Sequence, residues 1–537
     1  MKKFHPALLA FFSGFLLYAA WPVSPFSFLI FIALIPLLWL EQQGISRSKF
    51  FGAVYLAMLT WNAATTWWIW NSTDVGAVSA ILANSLLMSI PWMGFYNVKK
   101  RLGEKWGYIA LICFWLCFEY IHLNWELTWP WLTLGNVFAT HPNWVQWYEL
   151  TGSSGGSLWV LVINVLLFYA IRKYLTRNQD RKFLSMTLAI LFVPFIISYL
   201  LLLFQPKYEK ENVSESPNIV VIQPNVDPYQ KFEAGSQQMQ LQKLINISEK
   251  QIDANTKLLV WPETALNLPS GIWEDSLRKN YFFSPLWSFL GRHPGLELYT
   301  GLEGYNIYQE NNKTKYSRHI PGGDDYYDSY NSAFIMNANG PLISYHKSKL
   351  VPGVEALPSF LKFMDKYFEQ FGGTTGGYAR QDERTVLVAG NSGYKIAPAI
   401  CYESIYGEFL TNYVKKGANI IGIITNDGWW GNTPGHKQHL NYARLRAIET
   451  RRWVLRSANT GISCFIDPNG RIIDPQGWDK EASIKLAVPV QANERLTFFV
   501  RTGDVISKIA AAATIILLIW SITVLVRKKF AKAVKTV

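Results

Sequence analysis

Cysteine is scarce in this chain, with four residues in 537. Cys113 and Cys117 fall inside an apolar run, which leaves Cys401 and Cys464, and no C-x-x-C pair recurs. This excludes a dense disulfide framework and the paired-thiolate spacing of a structural zinc site. Charge is also scarce, at 17% of residues, while 50% are hydrophobic. Its distribution is more telling than its amount. No Lys or Arg occurs between Lys3 and Arg47, between Lys49 and Lys99, or between Lys105 and Arg172. The formal charge of +13 sits instead in clusters beside apolar runs, at Lys99–Lys105, Arg172–Lys182 and Arg527–Lys535. A nucleic-acid-binding domain gathers its basic residues on a folded face. Clusters that flank apolar runs are the topology-setting loops of a membrane protein.

Candidate spans are Pro6–Ala20, Phe26–Leu40, Phe50–Trp70, Ala77–Val98, Trp106–His122, Gly156–Ile171, Phe183–Phe204 and, far downstream, Ile506–Val526. About 20 apolar residues cross a bilayer, so the count expected is about eight spanning helices. Lys2 and Lys3 ahead of an apolar core also fit a signal peptide. No clear small-residue cleavage site follows, and Trp21-Pro22 leads straight into another span, so the segment reads as retained. Basic loops alternate with loops that contain no Lys or Arg, including the long His122–Gly155 stretch. The positive-inside rule then places both termini in the cytoplasm and residue 205 onward outside it. Trp67, Trp68, Trp70, Trp125, Trp129, Trp131, Trp144 and Trp147 crowd the span ends as an aromatic belt would. Cys113 and Cys117 read as packing or lipid-facing residues.

Three regions follow: a membrane domain over residues 1–204, an α/β domain over 205–504, and a final span with a basic tail over 505–537. Within 205–504, strands are expected at Asn218–Gln223, Lys257–Trp261, Glu297–Gly301, Ser332–Asn337, Leu342–Tyr345, Lys395–Cys401, Ile420–Thr425, Trp453–Ala458, Ser463–Asp467 and Ser483–Pro489. Helices are expected at Ser236–Asn255, Ile405–Lys416 and His436–Arg451. Alternating strands and helices give a layered α/β sandwich. Gly322–Tyr330 and Phe371–Tyr378 read as long loops, a length usually kept for function.

The chemistry gathers at strand ends. Ile396–Glu403 (I-A-P-A-I-C-Y-E) is an apolar run that delivers Cys401 into a turn. A cysteine so placed can be a nucleophile if a base and a cation stand near its thiolate, or simply a buried structural residue. Leu258–Glu263 (L-L-V-W-P-E) ends on a carboxylate that serves either as a base or as a turn cap. Ile343–Lys347 (I-S-Y-H-K) ends on an amine, with Lys349 as a rival two residues on. His436 and His439, at i and i+3, lack a third ligand and read as helix-start residues. Asp427, beside Trp429 and Trp430, either holds a site loop or makes an ordinary turn. Cys464 reads as a buried strand residue, unpaired with Cys401.

Glu263, Lys347 and Cys401 in that chain order resemble the nitrilase superfamily of carbon–nitrogen hydrolases. With the membrane spans included, the chain resembles that superfamily's membrane-bound branch, the apolipoprotein N-acyltransferase family, over nearly its whole length. Further matching stretches are Val221–Lys231 (V-I-Q-P-N-V-D-P-Y-Q-K), Asn426–Gly431 (N-D-G-W-W-G), Gln438–Arg446 and Arg456–Gly461. Two positions depart. Val351-Pro352-Gly353-Val354-Glu355 stands where the family often reads V-P-F-G-E, and Phe232 stands where a Trp is common.

The resemblance implies an α-β-β-α sandwich outside the cytoplasm of a bacterial inner membrane. It implies a Glu263–Lys347–Cys401 triad, an oxyanion site at Lys347 and the Tyr402 N–H, and orienting roles for Glu355 and Glu403. Substrate contacts are expected from Gln223, Asn225, Phe232, Asp427, Trp429 and Trp430. The implied reaction is ping-pong acyl transfer from a phospholipid, through a Cys401 thioester, to the α-amine of an S-diacylglyceryl-cysteine lipoprotein. No metal or other cofactor and no nucleic acid is expected, and the protein is expected to be a monomer. Two alternatives remain: a membrane-tethered amidase using the same triad with water as acceptor, and a lipoprotein-binding module with a relic site.

Overall fold

The computed structural model describes residues 5–176, 180–205, 216–233, 235–364, 377–490 and 495–534. The chain divides into two compact units. One comprises Met1–Trp70, Asp74–Phe204 and Thr502–Val537, and the other comprises Asn71–Thr73 and Gln205–Arg501.

The first unit is helical. Helices α1 (Pro6–Ala20), α2 (Ile35–Gln42), α3 (Arg47–Thr66), α4 (Asp74–Leu102), α5 (Glu104–Asn124), α6 (Ser153–Leu175) and α7 (Arg181–Phe204) precede the second unit. The helix at Val505–Val534, which closes the chain, belongs to this unit as well. Among the described residues, five helices are long and apolar enough to cross a membrane: α4, α5, α6, α7 and Val505–Ala531. Helix α1 is shorter, and α3 has the length without the apolarity.

The second expected span departs from an unbroken helix. Ser27–Phe31 is a 3-10 turn, and α2 begins only at Ile35. Asn164 of α6 seals the break: its Oδ1 accepts the Leu34 N–H at 2.8 Å, and its Nδ2 donates to the Ile30 carbonyl at 2.8 Å. In lipid an exposed backbone group has no water to turn to, so a side chain must take that place. The stretch between α5 and α6, which has no Lys or Arg, is likewise no exposed loop. It folds as short turns at Pro130–Leu132, Leu134–Thr140 and Pro142–Trp144, most of it buried, with Glu119 Oε1 accepting the Leu134 N–H at 2.8 Å. Trp67 and Trp70 are exposed as a belt requires, but Trp68 and Trp131 are buried against each other at 4.7 Å.

The second unit is a two-sheet sandwich. Its strands are β1 (Asn218–Gln223), β2 (Thr256–Val260), β3 (Ile272–Trp273), β4 (Glu297–Tyr308), β5 (Arg318–His319), β6 (Tyr326–Met336), β7 (Ile343–His346), β8 (Leu387–Val388), β9 (Lys395–Ile400), β10 (Ile420–Thr425), β11 (Trp453–Ala458), β12 (Cys464–Ile466), β13 (Ile472–Ile473) and β14 (Ala482–Ala487). One sheet runs β14-β1-β2-β4-β6-β5, with β7 beside β6 and β3 beside β4; the other runs β13-β12-β11-β10-β9-β8. Helices α8 (Gln237–Glu249) and α9 (Ser284–Arg292) cover the first sheet through Leu241, Leu244, Leu286 and Phe289. Helices α10 (Gly407–Lys415) and α11 (Pro434–Thr450) lie on the second, the chain closing with α12 (Val505–Val534) of the first unit. The order of layers is therefore α-β-β-α.

The inner strands β1, β2, β9, β10 and β11 are almost wholly buried, as parallel strands covered on both faces must be. Between the sheets, Tyr299 of β4 donates its hydroxyl to the Gly422 carbonyl at 3.0 Å. A Cβ at Gly422 would lie 2.6 Å from that ring, so only glycine admits the contact.

One of the expected loops is corrected here. The supposed loop Gly322–Tyr330 becomes strand from Tyr326, where its tyrosines pair with β4 along Asn306–Tyr308. Gly322 and Gly323 stay in the turn, and the strand begins at the tyrosines, aromatic residues that favour strands. Phe371–Tyr378 lies largely outside the described residues.

Candidate active site

Three strand ends converge. Strand β2 runs through Trp261-Pro262 into Glu263, whose turn is pinned on β4 by the Gly301 N–H donating to the Pro262 carbonyl at 3.1 Å. Thr264 follows with φ +46°. A Cβ on Gly301 would sit 2.6 Å from the Glu263 Cα and 2.4 Å from the Thr264 nitrogen, so the absent side chain is what lets the turn lie there. Strand β7 pairs antiparallel with β6 and delivers Lys347, whose N–H donates to the Asn331 carbonyl at 2.9 Å. Strand β9 delivers Cys401 at φ +50°, opening the 3-10 turn Cys401–Ile405. The parallel register of β9, β10 and β11 brings Cys401, Asn426 and Asn459 to one edge.

Lys347 Nζ, only 1% exposed, donates to Glu355 Oε1 at 2.7 Å and to Glu263 Oε1 at 3.4 Å. Burial opposes its charge, but the two carboxylates outweigh burial and raise its pKa, so it remains an ammonium. Burial first, then the Glu263 charge, push the Cys401 thiol upward, with Lys347 acting against both. The resting sulfur is therefore a thiol.

Glu263 Oε1 also accepts Asn331 Nδ2 at 2.8 Å, and its Oε2 accepts the Asn426 N–H at 3.0 Å. Glu355 Oε2 accepts the Val351 N–H at 2.8 Å, so the V-P-G-V-E loop keeps its carboxylate on Lys347 despite the altered sequence. Lys349, the rival cation, lies elsewhere, over the Tyr406 ring at 5.1 Å. Burial, with Arg384 and Arg380 nearby, pulls its pKa down to about 8.

Glu403 is fully buried and ties two strand ends together. Its Oε2 accepts the Ile400 N–H at 2.9 Å, while Oε1 accepts the Ser348 N–H at 2.7 Å and the Tyr345 hydroxyl at 2.6 Å. Burial raises its pKa, and these donors act against that rise. Asp427 is also fully buried, accepting from Arg456 Nη2 at 2.5 Å and from the Thr425 hydroxyl at 2.9 Å. Burial opposes its charge, but Arg456 and His439 prevail and hold it well below the usual carboxylate range.

The residues expected to touch substrate divide. Gln223 is fully buried with its amide committed, donating to the Gly477 and Lys480 carbonyls at 2.9 Å and accepting the Ser463 N–H at 2.8 Å. Asn225 donates to Asp479 at 2.8 Å. Both brace loops, with no free amide turned to the triad. Phe232 is 39% exposed, and Trp429 meets the exposed Tyr229 edge-on at 5.4 Å. Trp430 packs on His439 at 5.5 Å. The carbonyls of Trp430 and Trp429 accept from Asn71 Nδ2 at 2.8 Å and Ser72 Oγ at 3.2 Å, so Asn71 and Ser72 hold this loop.

Several site residues escaped sequence reasoning. Asn331 bridges Glu263 and Glu355, its second contact at 3.4 Å, and only the β6–β7 register could have revealed it. Lys231, 2% exposed, donates to the Glu263 carbonyl at 2.8 Å and to Thr264 Oγ1 at 2.7 Å. Burial draws its pKa down to about 8. Tyr378 donates to Glu303 at 2.7 Å. His439 starts a helix as expected, yet its ring also reaches the Cys401 carbonyl. Among the described residues, all four cysteines are free, and no three His, Cys, Asp or Glu side chains cluster to hold a metal ion.

The chain was compared with known proteins. Residues 308–494 match the carbon-nitrogen hydrolase family model, and residues 13–166 match the apolipoprotein N-acyltransferase N-terminal domain. The chain is 30% identical over 388 residues to the apolipoprotein N-acyltransferase of Rickettsia typhi, covering 69% of this chain and 68% of that one. It is 28% identical over 520 residues to that of Chlorobaculum tepidum, covering 93% of each. A solved amidase from Nesterenkonia sp. AN1 aligns with TM-score 0.35 and 15% identity, over 54% of this chain and 95% of that one.

Proposed function

Since this chain belongs to the apolipoprotein N-acyltransferase family, we propose that it transfers an acyl chain from a membrane phospholipid to the N-terminal amine of an S-diacylglyceryl-cysteine lipoprotein, by way of a thioester on Cys401. The observation that carries the chemistry is Lys347 Nζ held between Glu355 and Glu263 at 2.7 and 3.4 Å, beside a thiol that burial keeps protonated.

Glu263 takes the proton as Cys401 attacks the ester carbonyl, a role worth about 10²–10⁴ in rate. Lys347 and the Tyr402 N–H stabilise the oxyanion; losing one such donor typically costs about 10²–10³. Collapse expels the lysophospholipid alkoxide, which receives the proton from Glu263. The lipoprotein amine then attacks the thioester, Glu263 takes its proton, and the amide leaves as Cys401 regains its hydrogen. Two half-reactions at one nucleophile give ping-pong kinetics. Glu355 keeps Lys347 charged and in place, and Glu403 holds the Cys401 turn to the β7 end. Phe232, Trp429 and Trp430 supply apolar contact for acyl chains.

The amidase reading is not favoured, because the match to the N-terminal domain of N-acyltransferases gives the helical unit a purpose that a soluble amide does not require. We place about eight spans in the inner membrane, with both termini cytoplasmic, the 205–504 domain in the periplasm, and a monomer as the working form. Single-cysteine labelling from either side of sealed vesicles tests this topology.

The chemical test is intact mass. Incubation with phospholipid should add one acyl mass to the wild type and none to Cys401→Ala, and a diacylglyceryl-cysteine peptide should discharge it. A folded protein whose thiol alkylates yet never gains an acyl mass would refute the phospholipid donor.

A further inference from the structure

Cys401 carries φ +50°, a left-handed conformation that is strained for a non-glycine residue and persists only where neighbours impose it. The neighbours are specific. Ser404 Oγ donates to the Cys401 carbonyl at 2.8 Å, and His439 Nε2 lies 3.1 Å from the same oxygen and 2.8 Å from Ser404 Oγ. His439 is anchored from behind: Arg456 Nη2 donates to its Nδ1 at 3.2 Å, which leaves the ring proton on Nε2 facing the carbonyl, and Asp427 lies against both, 2.9 Å from Nδ1 and 2.5 Å from Arg456 Nη2, with all three side chains fully buried. A chain of contacts thus runs from β11, through the turn after β10 and helix α11, to one peptide carbonyl.

That carbonyl shares a rigid plane with the Tyr402 N–H, which points the opposite way across the trans peptide. Fixing the oxygen therefore fixes the direction of the N–H. We infer that His439, backed by Asp427 and Arg456 and joined by Ser404, is a positioning residue that aims the Tyr402 N–H at the oxyanion of the reaction. The inference rests on the reading of Tyr402 as an oxyanion donor. It differs from a mere packing role because it acts on a step that passes through an oxyanion and not on the thiol itself. Alkylation of Cys401 by iodoacetamide is a displacement at carbon without an oxyanion, so it serves as the internal reference.

The experiment uses the full-length protein in detergent with phosphatidylethanolamine or phosphatidylglycerol as acyl donor. It compares the wild type with His439→Asn, His439→Gln and Ser404→Ala. Asn keeps an amide near the Nδ1 position and loses reach to the carbonyl, whereas Gln keeps an amide near Nε2. Expected is a fall in single-turnover acylation of about tenfold or more in His439→Asn, toward the range seen when an oxyanion donor is lost. Iodoacetamide alkylation should stay at the wild-type rate, and His439→Gln should recover most of the loss. Ser404→Ala should show a smaller loss of the same kind, and it carries the test should His439→Asn not fold. Wild-type acylation in His439→Asn and Ser404→Ala, an equal fall in alkylation, or no recovery by Gln would each overturn the positioning role. A wild type that forms no acyl adduct with either lipid would instead overturn the reading of the site on which it depends.

Discussion

Lys347 sits closer to Glu355, at 2.7 Å, than to Glu263, at 3.4 Å. The nearer carboxylate is the one without a proton-transfer role in our scheme. Glu355 thereby neutralises the cation while Glu263 remains available to the thiol. Glu355→Gln should leave Lys347 to turn fully onto Glu263 and blunt the base. Acylation in a single turnover should drop by about 10–100-fold, within the span of a general-base contribution, while Cys401 still alkylates. Mass-resolved acylation kinetics would measure it, and an unchanged rate would remove Glu355 from the machinery.

The thiol itself offers a pH test. Because burial and Glu263 raise the Cys401 pKa, the thiolate fraction is small at neutral pH and grows about tenfold per pH unit. Iodoacetamide alkylation should be slow at pH 7 and still climbing above pH 9. Lys347→Met removes the one charge that favours the thiolate and should slow alkylation further at every pH. A plateau below pH 8 would show an activated thiolate at rest.

Lys231 makes a prediction about stability. Its pKa in the folded protein is lowered to about 8, below the ordinary lysine value of about 10.4. The unfolded chain therefore binds more protons between those two values, and stability rises with pH across that window. The cost of keeping this charge buried is fully present below pH 8 and is relieved as pH climbs toward the unfolded value. It is worth about 3 kcal/mol at most by the usual conversion. Lys231→Met lacks this dependence. The Tm of the wild type minus that of the variant should increase between pH 7.5 and pH 10, read by thermal unfolding in detergent. The variant should also lose acylation rate, since the turn at Glu263 and Thr264 loses two hydrogen bonds.

Glu403 should act through structure. Glu403→Ala strands the Ile400 and Ser348 N–H groups and the Tyr345 hydroxyl in a dry interior, at about 1–3 kcal/mol for each donor left unmet. We expect a lower Tm together with slower acylation and slower alkylation, because the whole turn loosens. Glu403→Gln should recover part of each. Full activity at normal Tm in Glu403→Ala would exclude the tie between the β9 and β7 ends.

Much of this was legible in the sequence, and the parts that were not share a cause. Apolar runs ending on Glu263 and Cys401 locate two strand ends, because a buried parallel strand leaves little choice of composition, while Lys347 ends the antiparallel, partly buried β7. Asn331 stayed hidden because its place depends on how β6 pairs with β7, and register is not a local property. His439 read as a helix-start residue, which is where it lies, but its contact with Cys401 spans 38 positions. Helix α9 was missed as a nine-residue segment too short to establish a period. The break before α2 was missed because hydropathy counts apolar residues and is blind to the one Asn that lets a helix stop.

Gly301 gives the last consequence. A single methyl group there would collide with the backbone that bears Glu263. The aim of the carboxylate we propose as the base is set by the thickness of a strand with nothing attached, so the site has no clearance on that side. Directed evolution of this protein toward other acyl donors must therefore leave β4 untouched at this one position, where adding even the smallest side chain would displace the Glu263 turn.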